Sequence, residues 1–425
     1  MNKLLCSILF IAALGIDGCD KAENVTPRHD HFFVKFHDGI KDENQRGDDV
    51  IETSDGGLLI AGTSLNGDVP SELLLIKTDS RGNEIWTFAA SAIPGMLPSE
   101  AKSVIELPDG YVVGGTIDDG SVRRSILIKV NFDGTFADSV VVRTDDPSTI
   151  YSNQLSKVTL GHSGILVSGE TDHPAPLGGG SNGYFGLYNL MLEPILKNTG
   201  HKQYFGLGND DLVAGAYEVL DTTRVGVNGT RFLAFGSTQN GNNEFDFYFI
   251  DIAKDYRIIN DINVNDIEEK GNQVSSFVTR YGDEYWMIGD SDDPREQIFL
   301  AGWEYSSGWL QIPSIPEIGG TDKVNGALVT VDGKGITVQD NNRFVIVGDA
   351  TFTADHKEIY LARVNLNHLV DDPWPKTFGT NTSTYSASSV ITLQDGSIVV
   401  LGTADLEPIK KIVLIKTGPD GQMSF

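Results

Sequence analysis

With 59 acidic against 32 basic side chains in 425 residues, a formal net charge of −27, this chain repels nucleic acid and anionic lipid headgroups, so neither is an expected partner. Its two cysteines, Cys6 and Cys19, sit at the start of the chain, which leaves the rest without a disulfide, a thiolate nucleophile or a cysteine metal site. The length would ordinarily divide into two or three domains, unless internal repeats build one large one.

The chain opens MNKLLCSILFIAALGIDGC. Lys3 supplies a positive start, and Leu4 to Ile16 form an apolar stretch too short to span a bilayer but suited to the core of an export signal. The stretch ends in Ile16-Asp17-Gly18-Cys19, which resembles the lipobox of bacterial lipoproteins, although Asp17 departs from the usual pattern. In that family a small residue precedes a cysteine that is acylated and becomes the mature N-terminus. The resemblance implies a signal peptide over 1–18, lipidation at Cys19, and an anchor in the outer membrane of the cell envelope, on its periplasmic face or at the cell surface. An ordinary signal with an incidental cysteine, or a cytosolic protein with an apolar start, is the alternative. Residues 19–30 read as a polar tether, whose charged start resembles the surface-export signal of Bacteroidota lipoproteins. The pair His29 and His31 could chelate a metal, but its place in the tether favours a solvated linker.

From residue 48 one sentence repeats. DDVIET, a turn at Asp55-Gly56-Gly57, LLIAGT, ELLLIKTD and EIWTF make the first unit. AKSVIEL, PDG, YVVGGT, SILIKVN and FADSVVV make the second. Third to seventh units follow, with second strands ILVSGET, RFLAFGST, YWMIGDS, RFVIVGDA and SIVVLGT; the first strand of the sixth is expected at VNGALVTV. A glycine closes each second strand, at Gly62, Gly115, Gly169, Gly236, Gly289, Gly348 and Gly402. Each unit holds four short runs rich in β-branched and aromatic residues, separated by Gly, Asp and Asn, as in a four-stranded antiparallel meander. Second and third runs are almost continuously apolar, as for strands buried on both faces, whereas the first and fourth alternate more. Four-stranded sheets repeated radially make a seven-bladed, all-β propeller over 31–425. The seventh unit lacks a fourth strand, while HFFVKFHDG at His31–Gly39 has no partner and resembles the sixth unit's PWPKTFGT. The N-terminal segment is therefore expected to close the ring as the outer strand of the last blade; an ordered tether is the alternative.

The repeated DGG, G-T and I-K-x-D elements, with links such as YFGLGNDD at Tyr204, resemble the propeller repeats of Bacteroidota secreted proteins, delta-60-like or quinoprotein-like in appearance. Quinoprotein propellers carry a tryptophan in each blade, and here the equivalent Trp86 stands in the first unit only, so no quinone cofactor is expected.

No zinc-protease, nucleophile-elbow, Walker or dinucleotide-binding motif is present. Acidic loops at Asp290 and Gly208 make calcium the one candidate cofactor, against solvated turns; no other metal site is expected. The most suggestive cluster is GWEYSSGW, with Trp303, Tyr305 and Trp309. Blade packing is the default reading of the cluster, since Trp303 lies in an expected strand; Tyr305 and Trp309 are the exceptions and the candidate ligand-binding residues, as stacking platforms for a sugar or anchors for a protein. No catalytic residue is identified. The sequence thus reads as a monomeric envelope lipoprotein whose propeller loops bind a glycan or protein ligand. A propeller hydrolase acting on glycans and a structural envelope protein remain as alternatives.

Overall fold

A computed structural model of the chain describes residues 32–39, 43–142, 151–173, 180–195, 203–205, 210–221, 229–253, 258–263, 272–292, 298–311, 323–324, 327–328, 330–340, 343–353, 356–365, 374–380 and 383–423. These residues form a seven-bladed β-propeller of antiparallel blades. One 3-10 turn, Ala90–Ala92, interrupts the β structure, and no helix is long and apolar enough to cross a membrane among the described residues.

The first strand, β1 (Phe33–His37), precedes the first blade, which holds β2 (Asn44–Glu52), β3 (Leu58–Asn66), β4 (Val69–Thr78) and β5 (Glu84–Ala89). The second holds β6 (Ser99–Leu107), β7 (Gly110–Asp118), β8 (Arg123–Val130) and β9 (Phe136–Val141). The third holds β10 (Asn153–Leu160), β11 (Ile165–Thr171), β12 (Asn182–Tyr188) and β13 (Gln203–Phe205). The fourth holds β14 (Asp211–Asp221), β15 (Gly229–Gln239), β16 (Phe245–Ala253) and β17 (Ile258–Asn263). The fifth holds β18 (Gln273–Tyr281), β19 (Glu284–Ser291), β20 (Ile298–Glu304) and β21 (Trp309–Gln311). A two-stranded ladder, β22 (Lys323–Val324) with β23 (Ala327–Leu328), comes before the sixth blade of β24 (Thr330–Asp340), β25 (Arg343–Thr353), β26 (His356–Asn365) and β27 (Lys376–Phe378). The seventh holds β28 (Thr384–Thr392), β29 (Ile398–Asp405) and β30 (Lys410–Thr417), and takes β1 as its outer strand.

Two strand expectations are thereby decided. The register Phe33↔Lys416 to His37↔Ile412 makes the N-terminal segment the ring's closing strand. In the sixth unit, the inner strand begins later than VNGALVTV suggests: Val324, Ala327 and Leu328 lie in the small ladder, and TVDGKGITVQD forms the strand. VNGALVTV carries the denser apolar run, whereas TVDGKGITVQD is mostly polar and is held as a strand by its pairing with β25 rather than by its own pattern.

The core lies between blades rather than at one centre. Seven apolar clusters fill the seven interfaces, for example Leu233, Phe235 and Phe249 against Val278, Tyr285 and Met287. The second strands are buried along nearly their whole length, as in β3 and β7. Outer strands such as β9 face water.

The repeated Asp-Gly turns and Ile-Lys pairs belong together. The Asp55 carboxylate accepts from the Gly57 N–H at 3.0 Å and meets the buried Lys77 ammonium at 3.0 Å. Lys129 meets Asp109 at 2.8 Å and Lys416 meets Asp395 at 3.5 Å in the same way. Against its partial burial, the Thr53 hydroxyl, the Gly57 N–H and the Lys77 ammonium hold the Asp55 carboxyl down at about 2. A turn residue therefore supplies the counter-charge for each of these buried lysines.

The aromatic position of Trp86 also recurs, contrary to the reading that confines it to one unit. The Trp86 ring covers Gly134 in the turn of the next blade, Phe33 covers Gly82, and Trp374 covers Gly421. All three glycines have positive φ (84°, 72° and 70°), and a Cβ at any of them would meet the ring at 2.7 Å or less. The repeat was hidden because a phenylalanine takes the place once and β1 stands at the other end of the sequence from the rest of its blade.

Deleting residues 31–39 should lower stability by ~3 kcal/mol or more, because the Phe33 ring and a full strand ladder are lost and β30 becomes an open edge. Thermal melts with light scattering check this. A truncated protein that melts with the parent and stays monomeric would reduce β1 to a tether.

Candidate functional site

One device is repeated in all seven blades. Each inner strand carries a β-bulge at the same level, between Gly47 and Asp49, Ala101 and Ser103, Leu155 and Lys157, Val213 and Gly215, Ser275 and Phe277, Gly333 and Gly335, and Ala387 and Ser389. The backbone N–H of the residue before the bulge donates to a side chain on the preceding blade. Ala101 donates to Thr63 at 3.0 Å, Leu155 to Thr116 at 3.2 Å, Val213 to Glu170 at 3.2 Å and Ser275 to Ser237 at 2.7 Å. Gly333 donates to Asp290 at 2.6 Å, Ala387 to Asp349 at 2.6 Å, and Gly47 to Thr403 at 3.2 Å, which joins the last blade to the first. Each acceptor immediately follows the glycine that closes a second strand. That glycine is required by a close approach. A Cβ at Gly236 would lie 1.9 Å from the Leu212 carbonyl oxygen, and one at Gly289 would lie 2.0 Å from that of Val274.

A bulge turns one extra residue out of the ladder. Here the extra residues are Asp48, Lys102, Ser156, Ala214, Ser276, Lys334 and Ser388, and all seven line a cavity of about 430 Å³ in the central channel. Each is the fourth or fifth residue of its inner strand, which sets the cavity toward the face on which these strands begin. The cavity is within the size range of small-molecule sites, and its wall is largely polar.

The electrostatics of the wall are unlike those of the whole chain. Four cations, Arg46, Lys102, Lys157 and Lys334, share it with three carboxylates, Asp48, Asp49 and Glu170. Arg46 pairs with Asp48 at 2.7 Å and with Glu100 at 2.9 Å. Glu100 also takes Arg123 and, at 3.4 Å, Lys102. Burial raises the Glu100 carboxyl, but Lys102, Arg46 and Arg123 outweigh it and hold the group below its ordinary value. From Arg123 the network continues to Gln154 at 2.7 Å and on to Glu170 at 2.9 Å, so the upper rim is tied together across blades one to four. Burial pushes the Asp48, Asp49 and Glu170 carboxyls up. Asp49 is nonetheless fully engaged: it accepts from the N–H groups of Val50 at 2.9 Å and Val104 at 3.1 Å, and from the Ser389 hydroxyl at 3.2 Å.

Lys157 is the exception on this wall. Its stem lies against Gly215, where a Cβ would sit 2.7 Å from the lysine Cδ. Its ammonium stands 3.7 Å from the centre of the Phe277 ring. Among the described residues no carboxylate lies within 4 Å of it, although the charge of Asp49 acts on it at longer range. Burial lowers the ammonium to about 8, opposed by Asp49. Perturbed groups gathered in one cavity make it the candidate functional site.

The residues singled out by sequence lie elsewhere. Tyr305 is only 7% exposed and Trp303 only 3%; their rings meet edge-on at 5.8 Å in the core between blades four and five. Tyr305 therefore does not stand free as a platform, because the turn after β20 folds it back onto Trp303. Trp309 opens β21 opposite Glu304, and its side chain lies outside the described residues. Cys19, His29, His31 and Gly208 are outside them too. Asp290, a calcium candidate, is committed to the Gly333 N–H at 2.6 Å and to Lys334 at 3.7 Å. Among the described residues no three His, Cys, Asp or Glu side chains are grouped to hold a metal.

No protein-family model matches the chain, and no curated protein sequence does. Among solved structures the chain is similar to a Mycobacterium tuberculosis puromycin-hydrolyzing peptidase, at 11% identity and a TM-score of 0.49, over 88% of this chain and 51% of that one. It is similar to extracellular domains 1–2 of Drosophila Semaphorin 1a, at 11% identity and a TM-score of 0.46, over 90% and 87%. A puromycin hydrolase gives 12% identity and a TM-score of 0.43, over 92% and 54%. The chain thus spans about half the length of these two hydrolases. These likenesses say nothing of ligand or activity.

A base held below its ordinary value disfavours the folded state while it is charged. The cost of charging Lys157 is fully present below about pH 8 and fades as pH rises toward 10.5, where the unfolded side chain also loses its proton. Lys157→Met should therefore be at least as stable as the parent at pH 7, with its relative advantage shrinking between pH 8 and 10. Urea unfolding of both proteins at pH 7 and pH 9.5 checks this. A variant strongly destabilised at pH 7 would make Lys157 a structural residue.

Proposed function

We propose that the protein is a lipoprotein of the cell envelope, anchored to the outer membrane through Cys19, whose propeller is a binding module for a glycan or protein ligand. The observation that carries the binding reading is the polar cavity built by the seven bulged residues at the channel mouth. It is large enough for a small ligand or the tip of a larger one, and it holds an ammonium, that of Lys157, with no carboxylate within 4 Å among the described residues. The position of β1 supports the anchor reading. Phe33 pairs with Lys416, at the face opposite the cavity, so the chain enters β1 from that side. A lipid on Cys19, about a dozen residues upstream, would hold that face toward the membrane and leave the channel mouth open to solvent.

Replacing Cys19 with Ala should release the protein from the membrane fraction, because the thiol is the only attachment atom in the motif. The released protein should bind on a glycan array as the parent does. Retention of the variant after a high-salt wash would contradict the anchor, and a blank array with the parent would contradict a glycan ligand.

A further inference from the structure

The cavity wall offers donors and withholds acceptors. Its three carboxylates are taken: Asp48 by Arg46 and the Thr63 hydroxyl, Asp49 by two backbone N–H groups and Ser389, and Glu170 by Gln154 and the Val213 N–H. What is left over lies on blades three and five. The Lys157 ammonium has no carboxylate within 4 Å among the described residues, whereas the lysines buried within the blades, Lys77, Lys129 and Lys416, each meet a turn aspartate. The Ser275 hydroxyl is buried without a hydrogen-bond partner. Ser156 and Ser276 line the same cavity, as chain neighbours of Lys157 and of Phe277. Gly215 keeps clear the space through which the lysine crosses from blade three to the Phe277 ring on blade five.

Such a wall selects an anion with hydroxyls. An unpaired ammonium is a costly group to keep in a half-buried channel unless something acidic completes it. The nearby charges of Asp48, Asp49 and Glu170 limit how much negative charge the cavity accepts, which favours a monoanion over a dianionic phosphate. Serine hydroxyls suit a polyhydroxylated ligand, and the Phe277 ring, which lines the cavity with the ammonium over it, adds apolar surface for the face of a ring. We propose that the channel mouth binds a small hydroxylated carboxylate of the sugar-acid type, its carboxylate seated on Lys157. The proposal rests on the binding-module reading and names its ligand class.

Calorimetric titration of the folded protein with D-glucuronate, D-galacturonate, D-glucose and inorganic phosphate, at constant ionic strength, tests it. One or both uronates should bind at least about tenfold more tightly than glucose or phosphate, the scale of one charge-assisted hydrogen bond. Lys157→Met should weaken uronate binding by about ten- to a hundredfold, while Lys410→Met, on the outer surface, should not. Acetylation of the parent read by mass spectrometry gives a second measure that needs no variant: uronate should protect Lys157 and leave Lys410 unchanged. Equal binding of glucose and the uronates, or uronate binding that survives Lys157→Met, would overturn the carboxylate assignment while leaving a binding site at the mouth. Uronates that neither bind nor protect Lys157 would overturn it too, and a glycan array blank for the parent would show that the broader reading had failed with it.

Discussion

The hydrogen bond from each bulge N–H to a side chain on the preceding blade is the constraint on which the other features depend. A bulge leaves backbone polarity that the sheet does not fully satisfy, and buried polar groups need partners. Here the partner comes from the neighbouring blade, so no blade completes its inner strand alone. The same bulge presses a carbonyl oxygen onto the second strand of its own blade, which excludes every residue but glycine there. Glycine and acceptor are therefore adjacent in sequence because both answer one distortion. The ring closes twice by different means: Thr403 reaches Gly47 at the inner strands, and β1 joins β30 at the outer edge.

The bulges also make the channel. Each one turns a residue inward at the same height, so the seven blades contribute a ring of side chains that is free of ladder constraints. Packing between blades tolerates little variation, but this ring does, and it runs from Asp48 through Lys102 and Ser156 to Ala214. The charge of the ring runs against that of the whole chain. Most of its ions are paired through the rim network from Arg46 to Glu170, which fixes their positions, and Lys157 is left out. Stability alone gives no reason for such a residue, and natural sites commonly trade stability for a group kept ready to bind.

The fold was legible because propeller blades announce themselves locally. Glycine after an apolar run, Asp-Gly turns and strand length are all short-range signals, and the closing role of His31–Gly39 followed from counting strands. The site was not legible in the same way. Lys157 sits in LSKVTL, where nothing distinguishes it from any lysine on a half-exposed strand. Its distinction is the distance to Asp49, 108 residues earlier on the first blade, and the emptiness at Gly215 beside Phe277, 58 and 120 residues further along. A signal for the clamp was present in the recurring Gly-Thr, Gly-Ser, Gly-Asp and Gly-Glu pairs, but Gly-Thr read as the close of a strand. The aromatic cluster is the opposite case: Trp303 packs in the core as its strand position suggests, Tyr305 is folded onto it, and only burial separates a platform from packing.

Amide hydrogen exchange, measured residue by residue in the parent and in Thr116→Val, tests the interblade bond most directly. Valine keeps the shape of threonine but removes the acceptor of the Leu155 N–H. The Leu155 amide should be protected in the parent and exchange at least about tenfold faster in the variant, while the clamps at Ala101 and Ser275 keep their rates. A Leu155 amide whose exchange is the same in both proteins would mean that the bulges stand without the neighbouring blade.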